Sequence, residues 1–302
     1  MRRPAAPPRR LALAAALLLG LAARRAVAVP PARVVSLNPS LTAMVLALGA
    51  RDRLVGVDDF SARQEPEVAS LPRVGGLYNP SLEAVVALRP DLVLLVPSAE
   101  QRDFRERLAA LGIRVLALDP LRFDEVLAAL ERVGEVLGRA DAARARAGAE
   151  RRALELAREL TAGLPRPRVV LVLQRDPLYV AGGGSFIDEM IEAAGGRNLG
   201  AAFAEPYPRV AEEWLIAAAP ERILDSSSEP GAARAFWSRW PSLPALTQHG
   251  VVVLPAGLVT LPGPWLDRAL AALVRAIHGV ELALPADDAP APRAAPPPKA
   301  AP

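Results

Sequence analysis

Residues 83–96 read EAVVALRPDLVLLV, and residues 213–225 read EWLIAAAPERILD. In each, a glutamate opens a short helical pattern, and a proline seven residues later ends it. An acid follows the proline, and an apolar strand follows the acid. The residue before a proline is steered out of the α region, so both helices are predicted to stop there. The run DLVLLV carries no alternating polar residue, which fits a strand covered on both faces. A second echo accompanies the first: a strand, a turn and a Ser-led helix ending at glycine, over Ser40 to Gly49 and again over Ser185 to Gly195. Two echoes predict a duplicated α/β lobe.

Working outward, short strands are predicted at 33–37, 53–57, 91–96 and 114–118. Helices are predicted at Leu41 to Leu48, with Ser40 as cap, at Ser81 to Leu88, and from about Glu100 to Leu111. Strands alternating with helices imply parallel βαβ units. From Phe123 to Leu160 the pattern is helical and nearly unbroken. Residues 140–162 contain one Gly and no Pro, and as a helix would span about 34 Å at ~1.5 Å per residue. Gly163 and the PRP at 165–167 end it. The alternation restarts with a strand at 168–173, a Gly turn and helix at 182–194, a helix at 211–218, strands at 222–225 and 251–254, and a last amphipathic helix at 265–277. The expected fold class is α/β, with two Rossmann-like lobes joined by a single long interdomain helix. The expected division is a signal peptide at 1–28, a first lobe at 29–138, the linker helix at 139–163, a second lobe at 164–280, and a disordered Pro/Ala-rich tail at 281–302.

The pI near 9.9 suggests a nucleic-acid partner, but the charge is in the wrong place. Six of the 36 basic residues lie in the first 28 positions, at Arg2, Arg3, Arg9, Arg10, Arg24 and Arg25, where there is no acid. That leaves 30 basic against 33 acidic residues elsewhere, a balance of about −3. No nucleic acid is therefore expected as a partner. The basic start, the apolar run LALAAALLLGLAA and the small residues Ala26-Val27-Ala28 have the layout of a cleavable secretory signal. The chain has no cysteine, so disulfides, thiolate metal sites and a thioether lipid anchor are not expected. A signal without that anchor points to a periplasm.

No constellation for catalysis is evident. There are two histidines, His249 in a loop and His278 at a helix end, and neither is paired with a nucleophile. No GxSxG, HExxH or P-loop pattern occurs. Gly182-Gly183-Gly184-Ser185 resembles a phosphate cradle but lacks the P-loop lysine, and reads better as a Gly-rich helix start lining a cleft. Two histidines cannot build a three-histidine metal site, so any metal must arrive wrapped in its own ligand. No catalytic residue, protein-bound metal or cofactor is expected.

Aromatic residues make up 4% of the chain. Phe60, Tyr78, Tyr179, Tyr207 and Trp265 are predicted in loops at strand–helix junctions, where open α/β sheets form their ligand crevice. Aromatic faces there suit a large flat ligand, or else pack local turns. Trp214, Trp237 and Trp240 lie within helical patterns and read as packing. Glu83 and Glu213 fit a plain electrostatic role in the first turn of a helix. Their matched positions also suit gripping two basic sites on a symmetric partner.

Over residues 33–279 the chain resembles the periplasmic binding proteins of cobalamin, iron-siderophore and haem importers. The stretches that carry the likeness are RVVSLNPSLTAMVLALGA, RLVGVDDFS, VGGLYNPSLEAVVALRPDLVLL and LAALGIRVLALD. More loosely, VAGGGSFIDEMIEAAGGRNL, YPRVAEEWLIAAAPERIL and LPGPWLDRALAALVRAIHG agree. The resemblance implies the class III periplasmic-binding-protein fold and delivery of a ligand to the permease dimer of an ATP-binding-cassette (ABC) importer. It implies docking through Glu83 and Glu213, pocket aromatics near Phe60, Tyr78, Tyr179 and Tyr207, and small lobe closure. The pattern is most similar to cobalamin binders. Leu77-Tyr78 and Tyr207 stand where members place tryptophan, and Leu261 lies near the place of a pocket arginine, so haem and ferric siderophores remain alternatives. Arg175 and Arg209 are the main loop arginines for such anions. An enzyme on the same scaffold, or a secreted scaffold tethered by its tail, are the rival functions.

Overall fold

Alternate residues of the central strands go to opposite sides of two sheets, and this sorts the whole molecule into layers. The computed structural model describes residues 29–97, 102–227 and 230–284. The signal peptide, residues 285–302 of the expected tail and the expected helix start at Glu100 lie outside the described residues; residues 281–284, expected to be disordered, instead bury Leu282 in the core with Leu284 packed against it. The first sheet holds β1 (Val34–Ser36), β2 (Leu54–Val57), β3 (Leu92–Leu95) and β4 (Arg114–Ala117). Its order is β2-β1-β3-β4, and every pairing is parallel. The second holds β5 (Arg168–Arg175), β6 (Leu178–Val180), β7 (Arg197–Asn198), β8 (Arg222–Asp225) and β9 (Val251–Val253). Its order is β6-β5-β8-β9, with β7 beside the start of β5 and β6 the antiparallel member.

The helices are α1 (Pro39–Ala47), α2 (Asp59–Gln64), α3 (Leu82–Ala87), α4 (Arg102–Ala110), α5 (Phe123–Val136), α6 (Ala140–Thr161), α7 (Phe186–Ala193), α8 (Glu212–Ala218), α9 (Pro230–Trp237), α10 (Pro244–Thr247), α11 (Ala256–Val259) and α12 (Leu266–His278). Helix α1 is capped by Asn38, not Ser40: the Asn38 Oδ1 accepts the Ser40 N–H at 2.9 Å. Pro39 takes the first helical position, where its missing N–H costs nothing, and this moves the start back. The long helical stretch is broken at Gly138, whose φ of +65° ends α5 before α6 begins. Helix α6 is the linker.

Val34, Leu92 and Leu94 face one side of the first sheet, and Val35, Val93 and Leu95 the other. In the second sheet Val169 and Leu171 face one side, Val170 and Val172 the other. The inward sets join one continuous core that includes Phe123 and Leu130 of α5, Ala147 and Leu154 of α6, Phe186 of α7 and Leu270 of α12. The outward sets are covered by α3 and α4 on the first lobe, and by α8 and α9 on the second. The linker buries Ala143, Ala147, Ala153 and Ala157 completely. At Gly134 of α5 a Cβ would come within 2.3 Å of the Ala143 Cβ, so α5 and α6 pack at backbone distance. Burying each large side chain of this core contributes on the order of 1.5–3 kcal/mol.

The repeat read in the sequence extends to hydrogen bonds. Asp91 donates its N–H to the Arg33 carbonyl at 2.8 Å, and its carboxylate accepts the Ala32 and Arg33 N–H groups at 2.9 Å each. Glu221 donates to the Arg168 carbonyl at 2.9 Å and accepts the Arg168 N–H at 2.9 Å. The residues before the two prolines, Arg89 and Ala219, both have φ of +47°. Each acid therefore clasps the start of its lobe's first strand, and each helix before it, α3 or α8, runs back along the sheet. Their first turns, with Glu83 and Glu213, lie at the carboxyl ends of the strands.

Candidate functional site

The carboxyl end of β2 sets the first rim. Asp58 is fully buried, and its Oδ1 accepts the N–H groups of Phe60 and Ser61 at 2.9 Å each. This caps α2, so Phe60 stands in the first helical turn rather than in a loop. Burial raises the Asp58 pKa, and hydrogen bonds from Ser61 and Phe60 partly offset it. Beneath it, the hydroxyls of Ser61, Thr42 and Ser36 form a buried chain, at 2.9 Å between Ser61 and Thr42 and 2.8 Å between Thr42 and Ser36. Phe60 is 40% exposed, with the Arg63 guanidinium 4.7 Å from its ring centre.

The Asp59 N–H donates to the Gly75 carbonyl at 2.9 Å, which ties the loop bearing Tyr78 to the Phe60 segment. Gly75 has φ of +104°, and a Cβ there would lie 2.9 Å from the Asn79 carbonyl oxygen, so the tight turn needs glycine. Tyr78 is 75% exposed. Glu83 follows in the first turn of α3, exposed and beyond the Ser81 cap.

On the second lobe Tyr179 lies on β6, not in a loop, bridged to Arg209. The strand pairs antiparallel with β5 on one side, and residues 206–210 run alongside it on the other: Val180 donates to the Pro208 carbonyl at 3.2 Å, and Val210 to the Leu178 carbonyl at 2.9 Å. Tyr207 is on that neighbouring segment, 37% exposed. Its pKa is pushed up to about 12, chiefly by burial and further by the negative charge of Asp119. Asp119 follows β4 on the first lobe, so the phenol faces the opposite rim. Glu213 is exposed in the first turn of α8, while its neighbour Glu212 meets Arg239 at 3.3 Å.

Gly182 and Gly183 serve the same segment. A Cβ at 182 would sit 2.0 Å from the Glu205 carbonyl oxygen, and one at 183 would sit 2.9 Å from that of Phe203. The start of α7 is filled from within. Ser185 Oγ accepts the Asp188 N–H at 3.1 Å, Asp188 accepts the Gly184 N–H at 3.1 Å, and the Phe186 N–H donates to the Leu121 carbonyl of the first lobe at 2.6 Å. The glycine run thus builds a lobe contact in place of a phosphate cradle. Arg122 and Glu189 meet beside it at 2.9 Å. Burial raises the Glu189 pKa, partly offset by Arg122.

Trp265 lies apart from both rims. It is half-buried where the segment leaving β9 meets the linker, with Arg146 at 4.9 Å and Arg268 at 4.4 Å from its ring centre. Arg146 also joins Glu150 (2.9 Å) and Asp267, a cluster that the sequence does not reveal. Asp267 lies 117 residues beyond Glu150, and only the i, i+4 spacing of Arg146 and Glu150 hints at the cluster. Asp58 and Asp119 were likewise legible only as acids at strand ends.

The remaining candidates are structural. Trp237 is fully buried and donates its indole N–H to Asp225 at 2.6 Å. Trp214 packs edge-on against Phe203 at 5.1 Å. Arg175 is held by the Ser227 hydroxyl at 2.8 Å and the Ala232 carbonyl at 2.6 Å, which leaves Arg209 as the exposed arginine of this rim. His278 closes α12 against the end of α7, with its pKa lowered mainly by burial. Among the described residues no group of three or more His, Cys, Asp or Glu is arranged to hold a metal ion, and no helix is long and apolar enough to cross a membrane. Two shallow charged depressions, of about 470 Å³ beside Arg158 and Glu192 and about 530 Å³ beside Arg175 and Arg239, contain none of the aromatic candidates.

Two α/β lobes on one long helix, with facing rims at the strand ends, are the architecture of a class of ligand carriers. The periplasmic binding protein family model matches residues 34–256, and the chain belongs to that family. It is 30% identical over 240 residues to the vitamin B12-binding protein of Yersinia pestis (strain Pestoides F), covering 78% of this chain and 80% of the relative. Among solved structures it is similar to the periplasmic vitamin B12-binding protein of Vibrio cholerae, at 25% identity and a TM-score of 0.72 over 82% of this chain and 97% of that one. It is similar also to a periplasmic haem-binding protein from Pseudomonas aeruginosa, at 32% identity and a TM-score of 0.69 over 83% and 94% of the chains.

Proposed function

We propose that this chain is the periplasmic solute-binding component of an ABC importer and carries a cobalamin-type chelate between its lobes. Phe60, Tyr78, Tyr179 and Tyr207 line the ligand space from the rims, Trp265 lines its floor against the linker, and Glu83 and Glu213 dock on the permease. Residues 1–28 direct export, 29–138 and 164–280 act as the two lobes, and 139–163 link them. The chain binds and hands over its ligand without chemistry on it.

The observation that favours cobalamin is the state of the rims. The Tyr207 phenol on the second rim is protonated at neutral pH, as an ordinary phenol is, and can donate a hydrogen bond. The corrin periphery is rich in neutral amides, whose carbonyls accept such bonds. Haem propionates and catecholate siderophores carry negative charge and call for free guanidinium groups. Here Arg122 is engaged by Glu189 and Arg175 by Ser227 and Ala232, leaving Arg209 on the second rim and Arg63, stacked on Phe60, on the first. Haem is the second reading, favoured by the 32%-identical haem-binding relative and by the position of all three tyrosines of the chain on the rims.

The deciding experiment titrates residues 29–302 with cyanocobalamin, haemin and a ferric siderophore, following tryptophan and tyrosine fluorescence corrected for ligand absorbance. Saturable quenching by cyanocobalamin at micromolar or lower concentration is expected. Saturation by haemin or siderophore alone moves the ligand and keeps the carrier. Saturation by none of the three refutes the assignment.

A further inference from the structure

We infer that Arg146 of the linker is a positioning residue for the floor of the ligand space: it fixes Trp265, and with it the segment from Pro255 to Trp265, against the linker helix. This rests on the reading of the inter-lobe space as the binding site. The segment leaves the carboxyl end of β9, where the Leu254 N–H donates to the Asp225 carbonyl at 2.9 Å, and returns to the linker at Pro264. The Arg146 Nε donates to the Pro264 carbonyl oxygen at 2.7 Å and to Glu150 Oε1 at 3.0 Å. Its other arm meets Asp267, and its plane lies 4.9 Å from the Trp265 ring centre. Glu150 accepts the Asp267 N–H at 2.6 Å and so caps the start of α12.

One side chain, 7% exposed, thus holds the backbone before Trp265, the ring itself and the carboxylate after it. Only a planar, multi-donor group can do all three at once. A lysine supplies the charge but neither the fork nor the stacking face. The arrangement sets the second-lobe floor by reference to the helix that also carries the first lobe, through the packing of α5 on α6.

The test labels the protein with 5-fluorotryptophan, giving four fluorine signals for the four tryptophans, with Trp265 assigned by Trp265→Phe. In ligand-free Arg146→Lys, the Trp265 signal is expected to shift or broaden while those of Trp214, Trp237 and Trp240 stay in place. Affinity for cyanocobalamin is expected to weaken roughly ten-fold. Arg146→Met is expected to do the same with a larger loss of stability. If Arg146→Met fails to fold, Arg146→Lys still decides. A Trp265 signal and affinity restored to wild type by lysine would reduce Arg146 to a buried counter-charge and overturn the positioning role. Four signals moving together would also overturn it, because the effect would then be global. If the wild-type protein binds haemin instead of cyanocobalamin, the affinity arm is read with haemin. The ligand-free spectra keep the two failures distinguishable.

Discussion

Replacing Glu150 by Gln is expected to stabilise the protein at alkaline pH and to leave it nearly unchanged in mild acid. Glu150 is fully buried, and its pKa is raised from 4.5 to about 8. Burial is the largest cause and the adjacent Asp267 carboxylate the second, with Arg146 offsetting part of the effect. Arg146 carries one positive charge against two carboxylates, so the cluster holds an extra proton near neutrality. The sign follows from linkage: a carboxyl that binds its proton more tightly folded than unfolded stabilises the fold below the unfolded value. That stabilisation is lost as pH rises through the window from 4.5 to about 8. At about 1.36 kcal/mol per pH unit the total reaches up to roughly 5 kcal/mol. Glutamine keeps an acceptor for the Asp267 N–H and carries no charge at any pH. Urea unfolding of both proteins at steps from pH 5 to pH 9 isolates the cluster, because titrations outside Arg146, Glu150 and Asp267 cancel in the difference. The variant should gain steadily on the wild type across the window and level off above it. A difference independent of pH would refute the assignment of the proton to this cluster.

Glu83→Lys with Glu213→Lys is expected to leave ligand titrations unchanged and to abolish uptake in cells carrying the cognate permease. Uptake at the wild-type rate would reduce both carboxylates to helix-terminus charges. Trp237→Phe removes the 2.6 Å bond to the buried Asp225 carboxylate and should cost roughly 3 kcal/mol in urea unfolding at pH 7. A loss below about 1 kcal/mol would mean that Ser227 and Arg175 satisfy Asp225 without the indole.

The lobes are legible in the sequence because their signals are local. Proline after a short helix, an acid, and a strand without polar residues need no distant partner to be read, and the same holds for the unbroken stretch from 140 to 162. Strand β6 is not legible. Leu178-Tyr179-Val180 is only three residues long, and its extended form depends on pairing with β5 on one side and with the segment around Pro208, nearly 30 residues on, on the other. Phe60 falls in a helix because Asp58 caps it, and two consecutive acids after a strand do not say which of them turns inward. The glycines at 182 and 183 were visible as a motif but not as the space they leave for residues 203–205. The Arg146 cluster depends on a contact between the linker and the start of α12, which periodicity does not encode.

The row of buried alanines on the linker makes that helix the gauge block of a caliper. The jaws are the two rims, and their gap is fixed by how closely α5, α7 and α12 can seat on one narrow rod. A single extra methylene at Ala147 or Ala153 would shim the jaws apart without touching any side chain that meets the ligand. The spacing of the rims is therefore written in the alanines of one helix, while the side chains on the rims come from the strand ends of each lobe.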